Sequence, residues 1–197
     1  MSEFPIAPVV GWNGEETQEI RDFIARTGGV SAVRVPLSKG RAFALVDRED
    51  WIKHQLWRWC WSLLQHGAGY AFRAEYIGRK NGKPRYRWVQ MHSMILEVQD
   101  GMEVDHRSRD SLDNRKANLR PATRGQNVQN QGLPTANTTG FKGVCFAKRR
   151  GDYAAYIDAG GARKHLGYFA TIEQAAAARN AAAERLHGEF AVLSLAA

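Results

Sequence analysis

The chain has 197 residues, enough for one large domain or two small ones. Its net charge is +8, and all of the excess follows residue 78: residues 79–197 hold 19 Lys and Arg against 11 Asp and Glu, whereas residues 1–78 hold nine of each. Two distant cysteines argue against a disulfide framework and a zinc knuckle, and no apolar run approaches the roughly 18 residues of a membrane span. We expect a cytoplasmic protein whose basic half binds a polyanion, although charge alone leaves a merely basic protein open.

The N-terminal residues 1–30 form an extension without a recognisable chemical motif. A short helix is predicted over about Glu15 to Arg26, because Ile20, Phe23 and Ile24 recur at helical spacing. Gly28-Gly29 would end it.

The next segment predicts two strands, Val33–Val35 and Arg41–Val46, followed by a helix that Asp47 caps and that runs to about Gln55. Three tryptophans then alternate with other residues, which predicts a strand with one aromatic face: Trp57, Trp59 and Trp61. Core or interface packing is the favoured role of this face, and base stacking is the alternative.

A hairpin is predicted from strands Tyr70–Ile77 and Arg85–Met91, because their connector contains Asn81-Gly82. The connector is basic and has no acidic residue. Its cations either lie in solvent or contact phosphates, and the candidates for DNA contact are Arg79, Lys80, Lys83 and Arg85.

The window from His92 to Asn130 concentrates residues suited to metal-assisted hydrolysis, in the order D-H-x7-N-x3-N-L-R-x6-N-x2-N. Carboxylate and amide oxygens bind a hard cation such as Mg²⁺, and an imidazole takes a proton near neutral pH. A short extended piece leads into Asp105-His106, a second strand ends at Pro121, and Thr123 with Gln126 forms a capping box for a short helix. Alone, each of these residues would more often be a surface or turn residue.

Together, this order and spacing resemble the HNH nucleases of the phage and intron-homing branch, in which two strands and a helix hold one divalent metal. The resemblance implies that Asp105 and Asn127 are metal ligands, for Mg²⁺ or alternatively Mn²⁺, and that His106 is the general base. It implies that Asn118 holds the strand and orients His106. Three further residues are predicted to be structural, with a ligand role left open for the first: His92, Asn114 and Asn130.

Residues 131–139 are polar and contain Gly and Pro, which is typical of a linker. A second module follows, with three predicted strands and one helix. The strands are Lys142–Ala147, Tyr153–Asp158 and Arg163–Tyr168. The helix is capped by Thr171 with Gln174 and ends at Gly188.

This module resembles the plant APETALA and ethylene-response-factor type of DNA-binding domain in the text "GFKGV", "YAAYI" and "HLGYFATIEQAAAARNAAAERLHGEFAVL". The resemblance implies a sheet that lies in the DNA major groove, with contacts from Lys142, Lys148, Arg149, Tyr156, Arg163 and His165. Plant members carry arginines where this chain has Cys145, Ala147 and Asp158, so their base specificity does not transfer. A packing domain without a ligand is the alternative.

The sequence therefore predicts an α+β protein: a ββα-metal (HNH) nuclease domain, then a small three-stranded antiparallel sheet with one helix. The expected boundaries are an extension 1–30, a nuclease domain with its preceding β-rich segment 31–130, a linker 131–139 and a DNA-binding domain 140–197. The expected activity is metal-dependent nicking or cleavage of double-stranded DNA in a bacterial or phage-infected cell, without a membrane partner. A DNA-binding regulator with a decayed nuclease centre, and an RNA-binding or RNA-cutting protein, are the alternatives. The sequence leaves monomer and homodimer open.

Overall fold

The computed structural model describes residues 32–38, 42–54, 57–63, 69–134 and 136–194, which form two compact units. The first unit contains the described residues up to Gln99 together with Asp110–Arg120, and the second contains Asp100–Arg109 and the residues from Pro121 onward. Small antiparallel sheets and a few helices make up the described chain, so the predicted α+β class is confirmed. The extension 1–30, with its predicted helix, lies outside the described residues.

The first unit begins with an antiparallel pair of strands, β1 (Ala32–Leu37) and β2 (Ala42–Asp47), followed by helix α1 (Arg48–His54). Every second residue of β1 is buried, because alternate side chains of a strand point to the same face. These residues are Val33, Val35 and Leu37. They form the core of the first unit with Ala44, Val46, Trp59, Ala71 and Met91.

A three-stranded sheet follows in the order β3-β4-β5, with β3 at Cys60–Leu63, β4 at Gly69–Lys80 and β5 at Lys83–Gln90. The predicted hairpin is confirmed, and its strands extend to a two-residue turn at Asn81-Gly82. Both turn residues have positive φ (52° and 75°), the conformation for which Asn-Gly is favoured in type I′ turns. Helix α2 (Met91–Ile95) follows β5 directly.

The strand predicted from the alternating tryptophans is wrong at its start, because β3 begins only at Cys60. The Trp57 N–H bonds to the His54 carbonyl (3.3 Å) at the end of α1, and the Trp59 carbonyl accepts the Ser38 N–H (3.1 Å). The backbone before Cys60 is therefore used outside the sheet. Trp59 is buried in the core, whereas Trp57 is 39% exposed and lies under the Arg73 guanidinium. The predicted single aromatic face is absent.

The segment Asp110–Arg120 returns to the first unit and pairs with the middle of β2. The Leu45 N–H donates to the Leu112 carbonyl (2.8 Å), and the Asn114 N–H donates to the Leu45 carbonyl (2.7 Å). This pairing explains why a segment that follows β6 in sequence belongs to the earlier unit.

The second unit contains strand β6 (Glu103–His106) and helix α3 (Arg124–Asn130). Strand β7 (Leu119–Ala122) contains the boundary between the units and forms a two-stranded sheet with β6. The predicted capping box of α3 is confirmed: the Gln126 N–H donates to Thr123 Oγ1 (3.3 Å), and the Thr123 N–H donates to Gln126 Oε1 (2.8 Å). Where α3 begins is thus fixed by local sequence.

The rest of the second unit is a three-stranded antiparallel sheet in the order β10-β9-β8, covered by helix α4 (Ile172–His187). The strands are β8 (Val144–Ala147), β9 (Asp152–Ala159) and β10 (Ala162–Phe169). Small side chains let α4 lie close to the sheet, and four alanines of the helix are buried: Ala175, Ala176, Ala182 and Ala183. The predicted capping box of α4 is confirmed, and so is its end before Gly188, where a 3₁₀ turn (Gly188–Phe190) follows. None of the helices in the described ranges has the length and apolar content that crossing a membrane requires.

Strand β8 starts at Val144, two residues later than predicted, and Gly143 is the reason. Its φ of +73° interrupts the extended backbone, and its carbonyl accepts the Tyr156 N–H at 2.7 Å. A Cβ added at Gly143 would overlap the Tyr156 carbonyl oxygen. Glycine is therefore required both by the backbone conformation and by the close approach to β9.

Replacing Gly143 by alanine should destabilise the second unit more than the same change at Gly140. Gly140 has a similar φ (+77°) but no atom within 4 Å of an added Cβ, so Gly140→Ala should cost only the left-handed strain of about 1–2 kcal/mol. Gly143→Ala adds a backbone overlap, worth about 1–3 kcal/mol more. Equal losses of unfolding free energy in urea titrations of the two variants would contradict this role of Gly143.

Candidate functional site

Strand β6 and helix α3 hold two carboxylates against two amides within the second unit. Glu103 and Asp105 are two residues apart on the strand, so they share a face. Asn127 and Asn130 are three residues apart on the helix, so they also share a face. The two faces meet as two carboxylate–amide pairs.

The inner pair is Asp105 with Asn130, both almost completely buried (4% and 5% exposed). Asn130 Nδ2 lies 2.9 Å and 3.0 Å from the two carboxylate oxygens of Asp105, and it also donates to the His106 carbonyl at 2.8 Å. A hydrogen bond to a charged group contributes about 1.5–3 kcal/mol, more than a neutral one. Asn130, predicted as a structural amide, thus holds the carboxylate of Asp105 in place.

The outer pair is Asn127 with Glu103, a residue that the sequence analysis missed. Asn127 Nδ2 donates to Glu103 Oε2 at 2.6 Å. The carboxylate accepts only from the NH₂ side of the amide, so this bond fixes which way the amide is turned. The Asn127 oxygen then has no hydrogen-bond donor among the described residues. The i, i+2 spacing of Glu103 and Asp105 was the signal available in the sequence.

His106 is the last residue of β6 and is buried, at 6% exposed. The strand ends there in a turn, in which the Arg109 N–H donates to the His106 carbonyl at 2.9 Å. Arg109 has a φ of +67°, a rare conformation for a non-glycine residue. The backbone of His106 is therefore fixed from two sides, by Asn130 and by this turn.

The remaining residues of the predicted centre lie in the first unit, and each has a structural contact there. Asn118 Nδ2 donates to the Asp113 carbonyl (2.7 Å), and Asn114 Nδ2 donates to the Leu112 carbonyl (3.2 Å). His92 is buried, with its ring edge-on to Tyr70 at 5.4 Å between centroids. These contacts fit the structural roles predicted for Asn114 and His92. The role of Asn118 toward His106 stays a prediction.

The donor set of the second unit suits a hard divalent cation. The Asp105 carboxylate and the Asn127 amide carry oxygen atoms, the ligand type that Mg²⁺ prefers. No group of three or more His, Cys, Asp and Glu side chains that could hold a metal ion occurs among the described residues. A carboxylate and an amide oxygen are donor types that Mg²⁺ and Mn²⁺ take in proteins.

The face of the C-terminal sheet opposite α4 carries aromatic and charged residues across β9 and β10; we call it the sheet face. His165 lies between two tyrosine rings, 5.0 Å from Tyr156 and 4.6 Å from Tyr168. Arg163 forms a two-pronged ion pair with Asp158 (2.9 and 3.0 Å), and this contact lowers the pKa of the Asp158 carboxyl. The sheet face thus contains the predicted contacts Tyr156, Arg163 and His165. Lys148 and Arg149 are exposed at the adjoining turn.

Lys142 was predicted to contact DNA, but its ammonium group is bound inside the second unit. Lys142 Nζ donates to the carbonyls of Gln129 (2.8 Å) and Gln131 at the C-terminal end of α3. Burial first, and then the charges of Arg179 and Arg109, lower the pKa of Lys142 to about 8, against a small opposing effect of Asp158. A cation at this helix end is also stabilised by the partial negative charge of the helix dipole. Lys142 therefore joins α3 to the C-terminal sheet rather than presenting a charge to solvent.

The hairpin of β4 and β5 presents the other predicted cations to solvent. Arg79, Lys80, Lys83 and Arg85 are all exposed beside the Asn81-Gly82 turn. They belong to the first unit, whereas the sheet face belongs to the second.

The chain is similar to one phage protein over part of its length. A stretch of 118 residues is 29% identical to "Protein 3.8" of Escherichia phage T7, and the match covers 57% of this chain and 97% of that protein. No family model matches the chain, and no solved structure gives a significant match. The name of the phage protein states no activity, so the chemistry of the site has to be argued from its residues.

The lowered pKa of Lys142 predicts a pH dependence of stability with a definite sign. Below pH 8 the amine is protonated in both states, and above 10.5, its ordinary pKa, it is neutral in both. Between these values the unfolded chain binds the proton more tightly, so the unfolding free energy should rise with pH. The neutral amine keeps two N–H donors for the two carbonyls.

Lys142→Gln should lose this rise of the unfolding free energy in urea titrations between these pH values, whereas Lys148→Gln, which removes an exposed lysine, should keep it. A rise of equal size in Lys142→Gln would contradict the assignment.

Proposed function

We propose that this chain is a divalent-metal-dependent endonuclease of HNH type that nicks or cleaves double-stranded DNA. The observation that carries the proposal is the set of paired side chains between β6 and α3. There Asp105 is held by Asn130, Asn127 is turned by Glu103, and His106 follows Asp105 directly. A ββα arrangement around one metal, as in the HNH family, is the finer fold that we propose for this part of the chain.

Asp105 and Asn127 would hold the metal, one through a carboxylate and the other through its amide oxygen. When bound, Mg²⁺ or Mn²⁺ would stabilise the negative charge that develops on the leaving oxygen of the phosphodiester. Asn130 and Glu103 act through these two residues: the first holds the Asp105 carboxylate and the second sets the Asn127 amide. Pre-set ligands reduce the reorganisation that metal binding would otherwise require.

His106 would take a proton from the attacking water. An imidazole is suited to this step, because its ordinary pKa lies close to neutral pH. In-line attack by that water would leave a 5′-phosphate and a 3′-hydroxyl, as the resemblance to HNH nucleases implies. The hydrogen bonds to the His106 carbonyl would keep the end of β6, from which the imidazole extends, in one position during the transfer.

Double-stranded DNA would be bound through cations and rings other than the residues of this centre. The sheet face offers Tyr156, Arg163 and His165, and the adjoining turn offers Lys148 and Arg149. The hairpin tip offers Arg79, Lys80, Lys83 and Arg85. Each phosphate contact adds counterion release, so the affinity should fall steeply with salt. All of these cations belong to residues 79–197, which carry the whole excess charge.

One observation favours a second candidate, a DNA-binding regulator without catalysis. Asp105 and His106 are only 4% and 6% exposed, and a general base has to reach water. A regulator would keep the carboxylate–amide pairs for stability alone. Incubation of the full chain with supercoiled plasmid, with Mg²⁺, with Mn²⁺ or with chelator, separates the two candidates. Metal-dependent nicked or linear product supports the nuclease, and unchanged plasmid in all three supports the regulator.

His106→Ala should lower the nicking rate by about 10²–10⁴-fold, the usual contribution of a general base. Its DNA affinity should change little, because the proposed phosphate contacts lie elsewhere. Both quantities would be measured on the full chain, the rate by plasmid conversion and the affinity by gel shift in chelator. His165→Ala is the matched control, since it removes a histidine from the sheet face and should affect affinity more than rate. Nicking by His106→Ala at the wild-type rate would remove this residue from the mechanism.

Glu103→Gln should raise the Mg²⁺ concentration needed for half-maximal nicking more than it lowers the rate at saturating metal. A glutamine side chain offers both a donor and an acceptor, so either side of the Asn127 amide could hydrogen-bond to Gln at position 103. Loss of an outer partner of a metal ligand typically costs about 10–100-fold in affinity or activity. Asp105→Asn, which changes a proposed ligand itself, should lose both metal affinity and rate. The proposed role of Glu103 fails if Glu103→Gln and wild type have the same Mg²⁺ dependence.

A further inference from the structure

The hairpin of β4 and β5 has one face covered with exposed aromatic rings. Cross-strand pairing places Tyr76 opposite Tyr86 and Ala74 opposite Trp88, and Phe72 lies two residues before Ala74 in β4. These residues alternate along their strands, so their side chains leave the hairpin on one side. We call this surface the aromatic face: Phe72, Tyr76, Tyr86 and Trp88.

Three of the four rings are open to solvent to an unusual degree. Trp88 is 67% exposed, Tyr76 is 53% exposed and Tyr86 is 43% exposed. The rings support one another edge to face, with centroids 5.2 Å apart for Phe72 and Trp88 and 5.9 Å apart for Tyr76 and Tyr86. Edge-to-face packing of this kind holds the rings in place without covering them. A contiguous exposed set of large rings indicates a binding surface rather than incidental exposure.

The charge around the aromatic face points to a polyanion as its partner. Four exposed cations stand at the hairpin tip, and the sequence contains no acidic residue from Tyr76 to Ile95. The nearest acidic residue before the tip, Glu75, is already paired with Arg87 at 2.9 Å and Arg73 at 3.7 Å. These contacts, the hydrogen bond from Arg87 first, lower the pKa of the Glu75 carboxyl. The surface is therefore apolar on one side and positive at its end, without a free acid between the two.

We propose that the aromatic face, with the cations of the hairpin tip, binds single-stranded DNA by stacking unpaired bases on Trp88 and Tyr86. Rings beside a positive groove are the combination by which proteins bind single strands without reading their sequence. A regular duplex offers phosphates but hides the flat faces of its bases, so it would use the cations and leave the rings in water. The inference rests on the proposed function only for the choice of DNA over RNA.

The test is equilibrium binding of the full chain in chelator, where no cleavage occurs. Labelled oligo(dT), a labelled duplex and oligo(U) would be titrated, and binding would be followed by anisotropy. Trp88→Ala should weaken oligo(dT) binding by about 5- to 150-fold, the loss of one stacked base, while duplex binding stays nearly unchanged. Trp88→Phe should retain most of the affinity, because a phenyl ring still stacks. Circular dichroism checks that the variants fold.

Phe146→Ala is the control, since it removes another exposed ring (48%) from the second unit. It should leave oligo(dT) binding unchanged. The inference is overturned if Trp88→Ala binds oligo(dT) as wild type does, if it loses duplex binding equally, or if oligo(U) binds more tightly than oligo(dT). Plasmid nicking is measured separately. Selective loss of oligo(dT) binding in a chain that never nicks would contradict the proposed function and leave this inference standing.

Discussion

The buried hydrogen bonds between Asn130 and Asp105 are the contact on which the arrangement of β6 and α3 depends. They place a charged carboxylate, 4% exposed, at the junction of β6 and α3, where an unpaired charge would be costly. Because the same amide also binds the His106 carbonyl, one side chain fixes the strand end and the helix end together. Glu103 and Asn127 repeat the arrangement closer to solvent. If α3 moved by one residue, both pairs would be lost.

The C-terminal sheet and helix belong to the same compact unit as this junction. Lys142 binds the carbonyls at the end of α3, and Arg107, one residue after His106, forms an ion pair with Glu189 at 2.7 Å. Residues 131–139 were predicted to be a linker between two modules, and a chain ending near Gln131 would lack both contacts. The module that resembles a DNA-binding domain thus also supports the helix that carries Asn127 and Asn130.

The parts of the fold that were predicted correctly from the sequence depend on local motifs. Thr123 with Gln126 and Thr171 with Gln174 begin their helices where the capping boxes predicted, and Asn81-Gly82 forms the hairpin turn, because these motifs act within four residues. Non-local contacts account for the rest. The tryptophan alternation failed because Ser38 takes the Trp59 carbonyl from 21 residues away, and Lys142 could be identified as a helix-end contact only once α3 and the sheet were in place. Glu103 lacks a motif of its own, and only its position across from Asn127 gives it a role.

The central claim is that the β6 and α3 junction binds a divalent metal through Asp105 and Asn127. Side-chain amide signals of Asn127 and Asn130 in a ¹⁵N-labelled full chain, titrated with Mn²⁺, test it most directly, because a paramagnetic ion broadens signals only close to itself. If the metal binds there, these two signals should broaden first, excess Mg²⁺ should restore them, and Asp105→Asn should prevent the effect. Broadening that begins at other residues, or that persists unchanged in Asp105→Asn, would contradict the account.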